Sequence, residues 1–202
     1  MGQPNDPGNT FSAMHHKMTG DLLHLMDGFY SNIEDGLFEL AFRNNDHSQR
    51  KRCFDLMREM RYRRGSLIQT FAKRLQRVGE AWTGESQLPA QNPDLAAQAK
   101  QMAEKCHSHF GPLLRSIRER AAYGSDQEVK TFELPVSPYQ VSYQFVASCQ
   151  SLDFDKQAID IVQNLFARFV LDRMGGIYGD CNRALESAGF YTQAELQEVS
   201  AG

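Results

Sequence analysis

The stretch IEDGLFELAFRNNDHSQRKRCFDLMREMRYRRGSLIQTFAKRL, residues 33–75, decides the fold. An apolar helix runs into a polar hinge, and a long, strongly basic helix runs out of it. In the first helix Leu22, Met26, Phe29, Ile33, Leu37 and Leu40 recur at spacings of three and four, an amphipathic stripe. Thr19 stands before that stripe as an N-cap, so the helix is expected to begin there. Gly28 and Gly36 lie off the stripe and cost about 1 kcal/mol each relative to Ala. Either they admit a close neighbour or they are tolerated weak spots. Asp46 followed by Gln49 resembles a capping box and restarts the chain as a helix. Cys53, Met57, Met60, Leu67, Phe71, Leu75, Val78 and Trp82 then hold helical phase across Gly65. Unbroken over about 48–82, this helix is roughly 50 Å long, enough to be the central element of a small domain.

Working outward, residues 1–12 are expected to form a disordered tail, since Met1 to Thr10 (MGQPNDPGNT) offers no apolar anchor. Asn92-Pro93 starts a third helix with the stripe Leu95, Ala99, Met102, Cys106, Phe110 and Leu113. Gly111-Pro112 should kink or split it, because proline removes a donor and clashes with the preceding turn. Val129 to Val136 is the one strand-like piece, and alone it reads as an extended connector. Ser137-Pro138 starts another helix. Asp153 or Asp155 is expected to cap a last long one, carrying Ile159, Val162, Phe166, Phe169 and Met174 and continuing past Gly175-Gly176 to Ala188-Gly189. Thr192 to Glu195 has capping-box spacing and opens a short turn or linker over 192–202. The expectation is an all-α, single-domain helical bundle of five to seven helices over 13–191, with a long central helix.

Two segments resemble a known family. GLFELA, the polar hinge and CFDLMREMRYRR form the first; LPVSPYQVSYQF with LFARFVLDRMGGIYGDCNRALESAGF forms the second, and together they cover about half of the chain. They are similar to a bacterial domain family of unknown function that forms the N-terminal region of long multi-domain proteins, some with a downstream PilZ domain. The resemblance implies a signalling context and transfers no catalytic residue. The chain has no RxxxR followed by DxSxxG, the PilZ signature, so a cyclic-di-GMP site is not implied.

Composition bounds the function. The net charge is −3, yet Arg43 to Arg77 holds eleven Lys or Arg against three acids, a local excess that points to a charged partner. The four cysteines form no CxxC pair and read as reduced core residues. There is no N-terminal apolar leader, and no apolar run approaches the roughly 18 residues that span a bilayer, so a cytoplasmic protein without a membrane is expected. Cys106, His107 and His109 form the most metal-like cluster, but 107 leaves the face shared by 106 and 109, and no second pair completes a zinc site. His15-His16 falls in or beside the tail. Asp35 and Glu39 lie one turn apart and would need burial for acid–base work. Asp180 and Asn182 stand near the glycine pair, where a role in the helix bend is the simpler one. No GxSxG, P-loop or HExxH motif occurs, so no enzyme, cofactor or metal is expected.

The basic face is the candidate binding site, with Arg50, Arg58, Arg61 and Arg64 as its contacts. The expected function is a non-catalytic regulatory or adaptor domain that binds a bacterial partner protein in signalling. The alternative is nucleic-acid or nucleotide binding through the same helix, for which Tyr62 is the one interleaved aromatic. A homodimer is a further possibility, with Phe166, Phe169, Val170 and Leu171 as its apolar surface.

Overall fold

The computed structural model describes residues 7–43, 45–123, 128–152 and 156–201. The elements are α1 (Pro7–Arg43), α2 (His47–Trp82), α3 (Pro93–His109), α4 (Gly111–Ala121), α5 (Pro138–Cys149), α6 (Lys156–Phe169), α7 (Gly175–Ser187) and α8 (Gln193–Ala201). Single 3-10 turns lie at Thr131–Glu133 and Leu171–Arg173, and no strand occurs among the described residues. The described residues are all-α and form eight helices, one more than the upper end of the sequence expectation.

Two helices of 37 and 36 residues, α1 and α2, form an antiparallel hairpin against which α5, α6 and α7 pack. The polar hinge is anchored by Asp46, whose carboxylate accepts the Ser48 amide at 2.8 Å and satisfies an otherwise unpaired N–H of the α2 start. Thr83 caps the far end of α2, and Gly84 follows at φ +82, a conformation that favours glycine.

Helix α1 begins twelve residues before Thr19, so the tail expected over 1–12 is helical from Pro7 onward; residues 1–6 lie outside the described residues. The cause is apolar burial. Phe11 packs edge-on against Trp82 of α2 and Phe190 beyond α7, and Met14 and Met18 extend the buried stripe. Thr19 is an interior residue whose hydroxyl donates to the His15 carbonyl at 2.9 Å, so it does not cap. His15 is buried against α2, where a Cβ at Gly79 would stand 2.3 Å from its Nδ1. The glycine therefore sets how closely the two long helices approach. Gly36 does the same for α6, as its missing Cβ leaves room for Leu165, while Gly28 faces open space.

The innermost helix is α5, not the long α2. From Pro138 to Ser148 every residue but Tyr139 is buried, the polar Gln140, Ser142, Gln144 and Ser148 included. Its Phe145 stacks on Phe166 of α6 with ring centroids 3.7 Å apart, and Phe29 of α1 and Phe71 of α2 meet both edge-on. One phenylalanine from each of four helices thus makes the centre of the core. Such pairs add about 0.5–1.5 kcal/mol each beyond area burial.

Gly111-Pro112 splits α3 from α4, as the sequence predicts, and Ser137 Oγ accepts the Gln140 amide at 3.1 Å to start α5. The segment read as an extended connector contains the turn at Thr131–Glu133. The long last helix is instead two, α6 and α7, separated by the turn at Leu171–Arg173. The break lets α7 pack on α4, with Phe110 filling the space beside Gly175. The cap expected at Asp153 or Asp155 lies outside the described residues. At the end of α7 Gly189 has φ +86, and the Thr192–Glu195 capping box then opens α8, a helix of nine residues where a turn or linker was expected.

Arg120 ties this last segment down. Its buried guanidinium donates to the Phe190 carbonyl at 2.6 Å and to Glu195 at 2.6 Å, joining α4 to the α7–α8 connection. Burial raises the Glu195 pKa, but the Thr192 amide and Arg120 outweigh it and hold the carboxyl below its usual range. No described helix is long and apolar enough to cross a membrane.

Candidate functional site

The outer seam of the α1–α2 hairpin collects the basic residues that the sequence singles out, and the structure divides them into two groups. Arg61 donates to both oxygens of Glu34 on α1, with Nε at 2.8 Å. That pairing holds the Glu34 carboxyl below its ordinary value and raises Arg61. Arg64 reaches Asp27 at 3.0 Å and lies 5.6 Å from the centroid of the Tyr30 ring. These two arginines are turned onto α1 and close the seam. Arg58 is exposed on its outer edge, with Asp55 of its own helix 3.8 Å away, and Arg50 lies in the first turn of α2.

Between the two outer arginines is a cluster that the sequence reading passed over. Phe38 and Phe42 project from α1 with ring centroids 4.5 Å apart, and Phe54 of α2 meets Phe38 edge-on at 6.4 Å. All three remain exposed, by 48%, 67% and 39%, although they touch one another across the seam. Burying rings of this size is worth about 1.5–3 kcal/mol each, so a contiguous exposed set is unusual on a helical surface that has nothing to bind. Phe38 and Phe42 stand one turn apart and off the buried stripe of Ile33, Leu37 and Ala41. That spacing was the available signal. Leu40, read as part of the stripe, is also exposed and faces a pocket of about 260 Å³ that Gly36, Leu165 and Arg168 line with it on the α6 side.

Most of the other candidate residues serve the fold. Cys106 is buried, donates to the Leu171 carbonyl at 3.3 Å, and has its thiol pushed up to about 12 by burial. His107 and His109 are exposed, and His109 rests edge-on against Phe110. Among the described residues no group of three His, Cys, Asp or Glu side chains is placed to hold a metal ion. His15, expected in or beside a tail, is a core residue whose pKa burial lowers to about 4. Asp35 is exposed, and Glu39 is paired with Arg43 one turn on. Asp180 accepts from Lys17 of α1 at 2.7 Å, and Asn182 donates to the Leu113 carbonyl at 3.1 Å, so both fasten α7 to its neighbours. Phe166, Val170 and Leu171 are spent in the core, and Phe169 is half-buried near Arg168 and Arg173. The apolar surface read there for a second copy is therefore an internal one.

A second concavity, an open groove of about 1080 Å³, runs along α3 between Ala96, Lys100, Ala103 and His107 on one wall and Phe132 and Tyr139 on the other. Its lining mixes small, polar and both charge signs, without a convergent polar set.

Comparison with curated proteins and with solved structures gives no match. The family model of the N-terminal domain of DUF1631, a protein of unknown function, matches residues 8–189, from the second residue of α1 to the glycine that ends α7. The chain belongs to that family.

Proposed function

We propose that this domain is a non-catalytic regulatory or adaptor module of bacterial signalling that binds a partner protein through the outer seam of the α1–α2 hairpin. The observation that carries this reading is the exposed, mutually packed set Phe38, Phe42 and Phe54. Binding energy at protein interfaces concentrates in a few large side chains that lose water at the centre of the contact, with charged groups at the rim. Three phenylalanines flanked by Arg50 and Arg58 have that layout. Arg61 and Arg64 act in this reading as positioning residues, holding α1 and α2 at the spacing that presents the rings. A cytoplasmic site of action follows from a signalling role of this kind.

Nucleic-acid or nucleotide binding through helix α2 is the secondary reading. It keeps Lys51, Arg58 beside Asp55 and the fully projecting Tyr62, 86% exposed, but gives up Arg61 and Arg64 to Glu34 and Asp27. Each neutralised cation removes a counterion-release contribution to phosphate affinity.

Affinity capture with the wild-type domain and with Phe42→Ser and Arg58→Glu separates the readings when paired with a low-salt gel shift on RNA and DNA. The proposal expects a protein captured by wild type and lost from both variants, with no shift of either nucleic acid. Equal recovery by all three proteins would refute the role given to this seam. A salt-sensitive shift abolished by Arg58→Glu would move the assignment to nucleic acid.

A further inference from the structure

Lys51 and Arg58 stand on the same face of α2 as Phe54, one turn to either side of it, and Arg50 lies one turn before it. On this face Lys51 and Arg58 are the cations nearest the ring, and the acid beside them, Asp55, lies 3.8 Å from Arg58. The α1 edge is less charged: Asp35 lies one turn before Phe38, while Glu39 turns away to Arg43. The rings therefore lie across the exposed seam between two antiparallel helices, with basic residues on its α2 side.

We infer that the occupant of this seam is an acidic amphipathic helix of a partner protein; the inference rests on the protein-binding reading above and names the chemistry of its partner. Two parallel ridges of side chains leave a groove that a third helix fills with residues at i, i+3 and i+4. Its apolar face covers Phe38, Phe42 and Phe54, and carboxylates along one flank meet Lys51 and Arg58. Complementary charge of this kind fixes register and speeds encounter more than it adds affinity. A second copy of the chain fits less well. A twofold contact centred on the rings sets the basic α2 side either against itself or against one carboxylate, Asp35, per chain, and leaves net positive charge facing positive charge. An anionic lipid surface would bring Asp35 against phosphates while engaging the same rings.

The test is a displayed library of random peptides long enough for several helical turns. It is selected on the wild-type domain and counter-selected on the Phe42→Ser/Phe54→Ser double variant, whose fold is checked by circular dichroism. Enriched peptides are then labelled and titrated by fluorescence anisotropy against wild type and Lys51→Glu/Arg58→Glu. The inference expects sequences with Leu, Ile or Phe at helical spacing and net negative charge, bound roughly tenfold more weakly by the charge-reversed variant. Seam-dependent peptides that are basic or neutral, and indifferent to charge reversal, would overturn the acidic partner and leave the protein-binding reading standing. No peptide that distinguishes wild type from the double variant would overturn both. Dimerisation in light scattering, or sedimentation with phosphatidylglycerol vesicles, that disappears in Phe42→Ser/Phe54→Ser would assign the seam to a second copy or to a lipid surface and overturn the inference.

Discussion

Arg61 of α2 holds the carboxylate of Glu34 on α1 with two hydrogen bonds, across 27 positions of sequence. A residue that looks from its own helix like part of a free basic face is in fact a clasp between the two longest helices. Both partners are exposed to solvent, so the clasp is electrostatically weak and screened by salt. Arg61→Met is expected to lower the melting temperature slightly at low ionic strength, by an amount that shrinks in molar salt. The pH dependence has a definite sign. The folded pKa of Glu34 lies below its unfolded value of 4.5, so the stabilisation is present above the unfolded value and lost as pH falls through the folded one. Melting curves of wild type and variant at neutral pH and in strong acid check this; a difference that grows in acid would contradict it.

The contact of His15 with Gly79 predicts a strict size limit. Gly79→Ala places a methyl 2.3 Å from the imidazole and should cost about 1–3 kcal/mol in denaturant unfolding. Gly79→Ala combined with His15→Ala should cost less than the sum of the two single variants, because the second removes what the first collides with.

His15 also makes stability depend on pH. The unfolded imidazole binds its proton near 6.5 and the folded one near 4, so between those values the unfolded chain holds more protons. Stability should fall as pH drops through that window and level off below it, by at most about 3 kcal/mol from this residue. The slope should flatten in His15→Leu, as read by urea unfolding across the window.

Arg120 is the fastening of the C-terminal segment. Arg120→Met leaves the Phe190 carbonyl and Glu195 without their partner and should cost about 2 kcal/mol. Hydrogen exchange should show α8 losing protection before any other helix, while α1, α2 and α5 keep theirs. Uniform loss across the chain would contradict the local role.

How much of this was legible beforehand varies with the kind of signal. The stripes of α2 and α3, the caps at Asp46, Asn92 and Ser137, and the split at Gly111-Pro112 are local, and local pattern suffices for them. The start of α1 was missed because the Pro, Gly and Asn of the first ten residues outweighed the spacing of Phe11, Met14, Met18 and Leu22, which continues the buried stripe upstream. The division of α6 from α7 depends on Phe110 beside Gly175, a contact between distant segments that no periodicity reports. The site was legible as charge and illegible as geometry. Which arginines face Glu34 and Asp27 is set by the register of two helices, and only that register reveals Phe38 meeting Phe54.

The central claim is that the rings at the outer seam are a docking surface, and the measurement that tests it most directly is photo-crosslinking in cells. A photoreactive phenylalanine is placed at Phe42, and, as a control, at the exposed Leu88 beyond the opposite end of α2. The account predicts a discrete protein adduct from position 42 that Arg58→Glu removes and that position 88 does not give. Stability should change by no more than about 0.5 kcal/mol, since the ring is exposed. Identical adducts from both positions, or none from position 42, would contradict it.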